Sequence, residues 1–190
     1  MPSGLPNEST RCYLNVVMQA ARVCIPDFDY TQDHLYTQLK LDDGPQDAHE
    51  TWLRLVDYLE KTLPKDMFYG TQEETCISKS NTETRTVTFG CMLSDKPEEY
   101  ITTSDSTFIL KKTRILTVPK IMVYVFDSAQ PIKFLETNTY GKKLVALIVH
   151  VGNHYVALVR EGEEWFLVND MIVHKIQFEY TMRAYMAFYV

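Results

Sequence analysis

Two different periods of hydrophobic residues divide this chain. In the first third, apolar residues recur every three to four positions, which is typical of amphipathic helices. The first such stripe consists of Leu14, Val17, Met18 and Ala21. It predicts a helix over residues 13–23, which Pro26 closes. A weaker helical signal covers residues 31–39.

The strongest helical pattern follows Gly44 and Pro45, because proline is preorganised for the first position of a helix. Its apolar stripe consists of Ala48, Trp52, Leu53, Val56, Leu59 and Leu63. We expect this helix to continue until Pro64, since proline cannot be accommodated in a helix interior.

Beyond this helix the hydrophobic period shortens to two. A polar, threonine-rich stretch at residues 71–84 leads into segments rich in β-branched and aromatic residues, which predict strands. These segments are residues 85–92, 107–111, 120–126, 144–150, 154–160, 164–169, 173–178 and 183–189. Because helices precede antiparallel strands, we predict an α+β fold with one domain over residues 1–190. Its helical lobe covers about 1–65 and its sheet lobe about 66–190.

Composition and charge exclude several classes of protein. The net charge is −6, and no stripe of lysine and arginine provides the footprint of a nucleic-acid binder. No apolar run approaches the roughly 18 to 20 residues that cross a bilayer. The N-terminus also lacks the pattern of a secretory signal. We therefore expect a cytoplasmic protein with no nucleic-acid or membrane partner, which acts in a host cell if its source is a virus or an intracellular bacterium.

The cysteines do not have the spacing of a metal site. They are Cys12, Cys24, Cys76 and Cys91. None forms a Cys-x-x-Cys pair, which argues against a zinc site or a thioredoxin-type redox centre. We expect four free thiols, no metal and no cofactor.

Cys12 stands at the start of the first predicted helix. There the helix dipole and the free backbone N–H groups favour the thiolate over the thiol. Position alone leaves a packing role open, since most lone cysteines are buried packing residues.

A histidine and a polar pair supply the groups that could activate this thiol. His154 opens one predicted strand, and Asn169 and Asp170 close the next strand. Because the two strands are predicted neighbours, these side chains are expected to meet. Cysteine, histidine and asparagine or aspartate in this order and spacing are typical of papain-like thiol proteases. The structural alternative is that His154 caps a turn and the polar pair closes a hairpin.

Several segments then resemble one family in chain order. Residues 4–19, GLPNESTRCYLNVVMQ, resemble the cysteine box G-L-x-N-x-G-N-T-C-Y-x-N-x-x-x-Q of the ubiquitin-specific proteases. The matching positions are Gly4, Leu5, Asn7, Cys12, Tyr13, Asn15 and Gln19. Residues 46–50, QDAHE, match the family's Q-D-A-x-E motif. The histidine box is matched by 150–155 and 165–173, the strand before the cleft by 119–126, and the closing strand by 184–189.

This resemblance implies a deubiquitinating thiol protease with a papain-like fold, in which a helical thumb packs against a sheet palm. It would cleave the isopeptide bond after the terminal Gly-Gly of ubiquitin through a thioester acyl-enzyme. By the matching motifs, Cys12 is the nucleophile, His154 the base and Asn169 the residue that orients the imidazole. Asp170 is the alternative third member, and Asn7 is the oxyanion-hole donor.

The resemblance also implies a substrate channel, with ubiquitin or ubiquitinated proteins as partners. Asp47 matches the residue that meets an arginine of the ubiquitin tail, and His150 and Tyr155 match positions that wall the channel. From the residues alone, Asp47 has an equal alternative role in complementing a helix dipole. His150 and His154 lie four apart on a segment we take as extended, hence on one face, but no third ligand completes a metal site.

The departures from the family pattern concern the loop before the cysteine and the recognition surface. Ser9, Thr10 and Arg11 replace the usual G-N-T, and Arg11 offers a positive charge to a Cys12 thiolate. The Cys-x-x-Cys pairs of zinc-binding fingers are missing, so we expect fingers reduced to residues 71–96 and their flanking strands, or absent. The alternatives are a protease for a ubiquitin-like modifier, a catalytically weak ubiquitin-binding module and an acyltransferase.

Overall fold

The computed structural model describes residues 1–7, 10–42, 44, 46–78, 81–92, 98–102, 108–126 and 130–190. Ser9, Pro45, residues 93–96 and residue 107, which the sequence analysis used, lie outside the described residues. The helices are α1 (Cys12–Cys24), α2 (Gln32–Gln38) and α3 (Ala48–Leu59), and a 3-10 turn follows at Lys65–Met67. None of the helices in the described ranges is long and apolar enough to span a membrane.

The strands form two larger sheets and one small one. The strands are β1 (Gly70–Ile77), β2 (Thr82–Phe89), β3 (Cys91–Met92), β4 (Glu98–Thr102), β5 (Phe108–Thr117), β6 (Met122–Val125), β7 (Ile132–Lys133), β8 (Leu144–Val151), β9 (His154–Glu161), β10 (Glu164–Asn169), β11 (Ile172–Ile176), β12 (Thr181–Met182) and β13 (Met186–Tyr189). The palm sheet has the order β11-β10-β9-β8-β13-β6-β3, and the finger sheet has the order β2-β1-β5-β4. Strands β12 and β7 pair separately.

Helix α1 is the centre of the core. It packs between the palm strands β8 and β9 on one side and α3 on the other. The predicted stripe is confirmed, since Leu14, Val17, Met18 and Ala21 are all fully buried. Residues on the remaining faces of α1 are buried as well, including the polar Asn15 and Gln19. A helix enclosed in this way fixes the position of Cys12 at its first residue.

Helix α3 is shorter than the sequence predicts. It begins at Ala48 because Asp47 accepts a 2.9 Å hydrogen bond from the backbone N–H of Glu50 and so acts as its N-cap. Leu59 is its last residue. The predicted stripe was wrong at Leu53, which is 40% exposed, because it lies one residue and about 100° around the helix from the buried Trp52.

The finger sheet contains strands that the sequence analysis missed. Within the stretch 71–84, expected only to lead into a strand, residues 71–77 belong to β1 and residues 82–84 begin β2. Of the eight residues in β1, Gly70 and Glu74 alone are buried. Because few apolar side chains are covered here, the alternating hydrophobic pattern of a half-buried strand is missing. Strand β5 also continues to Thr117, well past the predicted end at residue 111.

The palm strands that carry the polar candidates agree with the predicted boundaries to within one residue. These are β8, β9 and β10. Each is antiparallel to its neighbour, with Val151 opposite His154 and Ala157 opposite Val168. The start of β9 and the end of β10 therefore lie side by side at one end of the palm strands, close to the start of α1.

Candidate active site

His154, at the start of β9, and Asn169, at the end of β10, are hydrogen-bonded to each other. Nε2 of His154 lies 2.8 Å from Oδ1 of Asn169. An amide oxygen only accepts hydrogen bonds, so with the amide assigned in this orientation Nε2 carries the hydrogen. The neutral imidazole then has its basic nitrogen at Nδ1. This is the tautomer that a general base needs in order to take a proton through Nδ1.

Asp170 makes different contacts from Asn169. Its Oδ2 is 3.6 Å from Nε2 of His154, which is beyond hydrogen-bond length. Its Oδ1 accepts a 2.8 Å bond from Nδ2 of Asn15, and its backbone carbonyl accepts a 2.9 Å bond from the N–H of Leu5. Asp170 thus joins the chain before Cys12 to the strand that carries Asn169.

Cys12 is the first residue of α1, and 8% of its surface is exposed. The helix packs directly on β9, the strand that begins with His154. Burial raises the pKa of Tyr155 to about 12, the charge of Asp47 contributes next, and the charge of Cys12 contributes as well. The first backbone N–H groups of a helix have no intrahelical partner, and Cys12 is the first residue of this helix.

Buried amide side chains hold the chain segment before the cysteine, residues 3–7, which we call the cysteine loop. Asn15 donates from Nδ2 to the carbonyl of Pro6 at 3.1 Å, and Gln19 donates from Nε2 to the carbonyl of Ser3 at 2.7 Å. Gln32 on α2 donates to Pro6 at 2.9 Å and to Oδ1 of Asn15 at 2.6 Å. The loop that carries Asn7 is therefore fixed at several points. Sequence analysis missed Gln32, which no periodicity or motif distinguishes.

Gly4 lets the cysteine loop approach the turn between β10 and β11. A Cβ atom at this position would lie 2.6 Å from backbone atoms of Met171. Asp170, in the same turn, has a left-handed φ of 50°. Only a glycine permits so close a contact between two backbones. Asn7, at the end of the loop, keeps an exposed side chain five positions before Cys12.

Asp47 lies at the junction of α3 with the palm sheet. Besides capping α3, it accepts from the hydroxyl of Tyr185 at 2.7 Å and from the hydroxyl of Tyr155 at 3.3 Å, both at Oδ2. The helix-capping role that the sequence left open is therefore present. Sequence analysis missed Tyr185 as a site residue. Its position in the chain could have indicated this role, because Tyr185 directly precedes β13. Strand β13 pairs through Met186 and Ile148 with β8, the strand that carries His150.

An aromatic cluster continues from this carboxylate. The rings of His150 and Tyr155 stack with centroids 4.4 Å apart, and the ring of Tyr185 lies 5.9 Å from that of Tyr155. The expectation that His150 and His154 share one extended segment was wrong. The chain reverses between them at Gly152, with φ +64°, so that His150 pairs with Tyr155 across two strands.

Arg11 is engaged with α2. Its Nη1 forms a 3.0 Å ion pair with Asp33, and its guanidinium carbon lies 3.9 Å above the ring centre of Tyr36. Its buried Nε has no hydrogen-bond partner among the residues that the structure describes. The side chain expected to face the Cys12 thiolate thus takes a structural place at the contact between α1 and α2. Thr10, just before it, has a left-handed φ of 66°.

The other thiols lack the features of a nucleophile. Burial raises the pKa of Cys24 above its usual range, and burial also raises the pKa of Cys91 to about 12. Cys76 is half-buried in the finger sheet. Within the described ranges, no three histidine, cysteine or carboxylate side chains are grouped so that they could hold a metal ion.

Comparison with known proteins identifies the family of this chain. The family model described as ubiquitin carboxyl-terminal hydrolase matches residues 27–189, most of the chain, and begins after α1. No curated protein matches the sequence closely enough to count as a relative.

Solved structures give the same result for the fold. The SAGA DUB module of Ubp8, Sgf11, Sus1 and Sgf73 bound to monoubiquitin matches with a TM-score of 0.71 and 16% identity, covering 99% of this chain and 68% of that chain. The same module bound to ubiquitin aldehyde has a TM-score of 0.70 and 17% identity, with 99% and 69% covered. The yeast SAGA module with an Sgf73 variant has a TM-score of 0.70 and 17% identity, with 99% and 68% covered.

At such identities these matches establish the papain-like α+β fold, and the family model establishes the family. The chain therefore belongs to the ubiquitin carboxyl-terminal hydrolase family, as a cysteine-type deubiquitinating hydrolase with the fold of the ubiquitin-specific proteases.

Proposed function

We propose that the chain hydrolyses the isopeptide bond between the terminal glycine of ubiquitin and a lysine side chain, through a thioester on Cys12. The observation that carries this proposal is the 2.8 Å hydrogen bond between His154 and Asn169. It keeps Nε2 protonated and leaves Nδ1 to accept the thiol proton. Cys12 is the first residue of α1, and α1 packs on β9, the strand that begins with His154.

The first half-reaction forms the acyl-enzyme. Nδ1 of His154 takes the proton of the Cys12 thiol, and the sulfur attacks the carbonyl carbon of the terminal glycine. The C–N bond of the resulting tetrahedral intermediate then breaks. The lysine amine leaves with the proton that His154 holds, and a thioester remains on Cys12.

The second half-reaction releases ubiquitin. His154 takes a proton from a water molecule, whose oxygen attacks the thioester carbonyl. The C–S bond breaks, and the sulfur takes back the proton that His154 holds, which restores the thiol and the neutral imidazole. The carboxylic acid of the released ubiquitin loses its proton to solvent and becomes a free carboxylate. Asn169 remains hydrogen-bonded to Nε2 and keeps the ring in place through both halves.

The negative charge on the carbonyl oxygen needs donors in both intermediates. Asn7 supplies a side-chain amide at the end of the fixed cysteine loop, and the backbone N–H at the start of α1 supplies a second donor. Because Asn7 is exposed, Asn7→Ala is expected to lower kcat by about 100-fold with no loss of stability.

The ubiquitin tail would be recognised by the carboxylate of Asp47 and the adjoining aromatic cluster. Three donors already reach this carboxylate, and its two oxygens offer about four acceptor positions, so an arginine can still bind. The rings of Tyr155, His150 and Tyr185 would make the channel for the ubiquitin tail so narrow that it admits only glycine residues. Two structurally similar modules are bound to monoubiquitin and to ubiquitin aldehyde, which supports ubiquitin as the substrate.

A fluorogenic amide at the C-terminus of ubiquitin tests this function. We expect turnover by the wild type and a loss of at least about 100-fold in kcat for His154→Ala. His174→Ala is the matched control, because His174 is an exposed histidine of β11. Turnover that survives His154→Ala would contradict the mechanism. Turnover of an amide on a ubiquitin-like modifier, with none on ubiquitin, would retain the mechanism and overturn the proposed substrate.

A further inference from the structure

Strand β2 forms an open edge of the finger sheet. The sheet order ends at β2, which pairs with β1 on one side and with no described strand on the other. Residues 82–86 are all exposed. A long exposed edge presents unpaired backbone N–H and C=O groups, which are a template for another strand.

Two hydrogen bonds show which backbone groups of β2 face outward. At the hairpin end, the N–H of Ser78 donates to the carbonyl of Asn81 at 2.8 Å, so these two residues form a hydrogen-bonded pair. At the other end, the N–H of Thr71 points to Oγ1 of Thr117 on β5, at 2.9 Å, and so away from β2. Antiparallel pairs alternate between bonded and non-bonded. Counted from either end, the pairs of β1 with Thr82, Thr84, Thr86 and Thr88 are the non-bonded ones. The backbone N–H and C=O groups of these four threonines therefore point away from β1, out of the edge of the sheet.

Apart from the charged residues Glu83 and Arg85, β2 lacks the features that protect natural edge strands. Natural edge strands are commonly interrupted by proline or a bulge, kept short, or given a lysine. Strand β2 is eight residues long and contains no proline, glycine or lysine. By contrast, the edge strand β11 of the palm sheet is five residues long and carries Lys175.

We propose that two copies of this chain associate by antiparallel pairing of β2 with β2, which joins the two finger sheets. The two-fold axis passes between Thr84 and Thr84 of the partner subunit. Thr82 then lies opposite Thr86 of the partner subunit. In this register the outward-facing backbone N–H and C=O groups of the two strands lie opposite each other and can form hydrogen bonds. The side chain of Glu83 faces the partner's Arg85, and that of Arg85 faces the partner's Glu83. Arg85 also forms a 2.9 Å ion pair with Glu74 of β1 in its own chain, but Glu74 has a second cation in Lys111 at 2.8 Å, so a net positive charge remains for the partner's Glu83.

Charge selects this register over its neighbours. Moving the partner by two residues in one direction places Arg85 opposite the partner's Arg85, and moving it in the other places Glu83 opposite the partner's Glu83. Like charges directly opposite each other on adjacent strands are destabilising. In the proposed register both cross-strand charge pairs are attractive, and they are non-hydrogen-bonded pairs, in which side chains are closest.

The interface is small, so the dimer is expected to be weak. Three hydrogen-bonded residue pairs supply about six backbone hydrogen bonds, and the two ion pairs are exposed. An interface of this size is below that of stable complexes, so association should depend on protein concentration. None of the candidate catalytic residues lies in the finger sheet.

The experiment is sedimentation velocity of the wild type over two orders of magnitude in concentration, with variants at the edge. We expect a monomer–dimer equilibrium in the wild type. Thr84→Pro should abolish it, because proline removes the central outward N–H, while the bonds of β2 to β1 remain. Circular dichroism checks that this variant is folded.

A charge exchange tests the register. Glu83→Lys alone should be monomeric, since the substituted side chain would place a positive charge against the partner's Arg85. Mixed with Arg85→Glu, it should form a heterodimer in which both pairs are again attractive. Glu179→Lys makes the same charge change at an exposed glutamate outside both larger sheets and should leave the dimer intact. A wild type that stays monomeric at all concentrations, or a dimer that persists in both Thr84→Pro and Glu83→Lys, would overturn the proposal.

Discussion

Nδ2 of Asn15 donates a 2.8 Å hydrogen bond to Oδ1 of Asp170, joining residues that are 155 positions apart in the chain. Asn15 is 2% exposed and lies one helical turn after Cys12, so both side chains are on one face of α1. Asp170 follows Asn169, which holds His154. The bond therefore sets the cysteine-bearing helix against the strands that carry the histidine and its partner.

This arrangement predicts different consequences for two adjacent substitutions. Asn169→Ala should lower kcat by about 10- to 100-fold and leave stability nearly unchanged, because it frees the imidazole to rotate. Asp170→Ala should cost about 1 to 3 kcal/mol of unfolding free energy, because it leaves one of the two N–H groups of the buried Asn15 amide without an acceptor and places alanine at a left-handed φ. Urea unfolding and steady-state turnover separate the two effects.

Asp170→Asn is the control for that pair, since its amide oxygen can still accept from Asn15 and should restore most of the stability. If Asp170→Ala were as stable as the wild type and lost more activity than Asn169→Ala, the assignment of the two roles would be reversed.

Gly4→Ala tests the close contact of the cysteine loop with Met171. An added methyl group would overlap backbone atoms of Met171, so the loop must move and carry Asn7 with it. We expect a loss of about 1 to 3 kcal/mol in stability and a lower kcat. Gly90→Ala is the matched control, because the nearest atom to its Cβ is a movable side-chain atom of Tyr69 at 3.3 Å. Equal behaviour of the two variants would show that the close approach is unimportant.

Thr10 should be a site where stability can be gained. A β-branched residue at a φ of +66° is strained, whereas asparagine tolerates this region. We expect Thr10→Asn to raise the unfolding free energy by about 0.5 to 1 kcal/mol, measured by urea unfolding. Thr139→Asn, at an exposed threonine without positive φ, should have almost no effect. A loss of stability in Thr10→Asn would show that the backbone of Thr10 is not strained.

The contact between Asp47 and Tyr155 predicts a dependence on alkaline pH. Burial first, and then the charge of Asp47, raise the pKa of Tyr155 from 10.0 to about 12 in the folded protein. Because the folded pKa is the higher one, this stabilisation is present below pH 10 and is lost as the pH rises from 10 toward 12. Asp47→Asn should lower the pKa of Tyr155, so the pH range above 10 over which this stabilisation is lost should become narrower.

The tyrosinate absorbance of each protein, minus that of its Tyr155→Phe counterpart, measures this pKa. Glu50→Gln removes a charge from the same helix and should leave the titration of Tyr155 as in the wild type. An identical titration in Asp47→Asn would mean that the carboxylate does not act on Tyr155.

Arg11 is expected to matter for packing rather than for the thiol. Arg11→Ala removes the ion pair with Asp33 and the stacking on Tyr36, so we expect a loss of about 1 kcal/mol in stability. The rate of Cys12 alkylation by iodoacetamide should follow the same pH profile in this variant as in the wild type. A displaced profile would restore the role that the sequence suggested.

The sequence predicts the candidate catalytic residues, but it predicts few of the contacts that support them. Cys12, His154 and Asn169 stand in recognisable motifs, and strand boundaries within one residue brought the last two together. Gln32 and Tyr185 were missed because their contacts join elements distant in the chain, which no local pattern records. Strand β1 was missed because its surroundings cover few apolar side chains, so the sequence shows no alternation to detect.

Errors in the predicted elements have similar local causes. Pro45 suggested an early start for α3, but the carboxylate of Asp47 caps the helix two residues later. The turn at Gly152 is so short that the sequence pattern placed His150 and His154 on one extended segment, although they lie on two paired strands.

Intact-mass spectrometry with ubiquitin carrying a C-terminal electrophile shows whether Cys12 is the nucleophile. We expect one covalent ubiquitin on the wild type and on Cys24→Ala, which removes a buried thiol at the far end of α1, and none on Cys12→Ala. An adduct that persists in Cys12→Ala, or no adduct on folded wild-type protein, would contradict the assignment of Cys12 as the nucleophile that attacks ubiquitin.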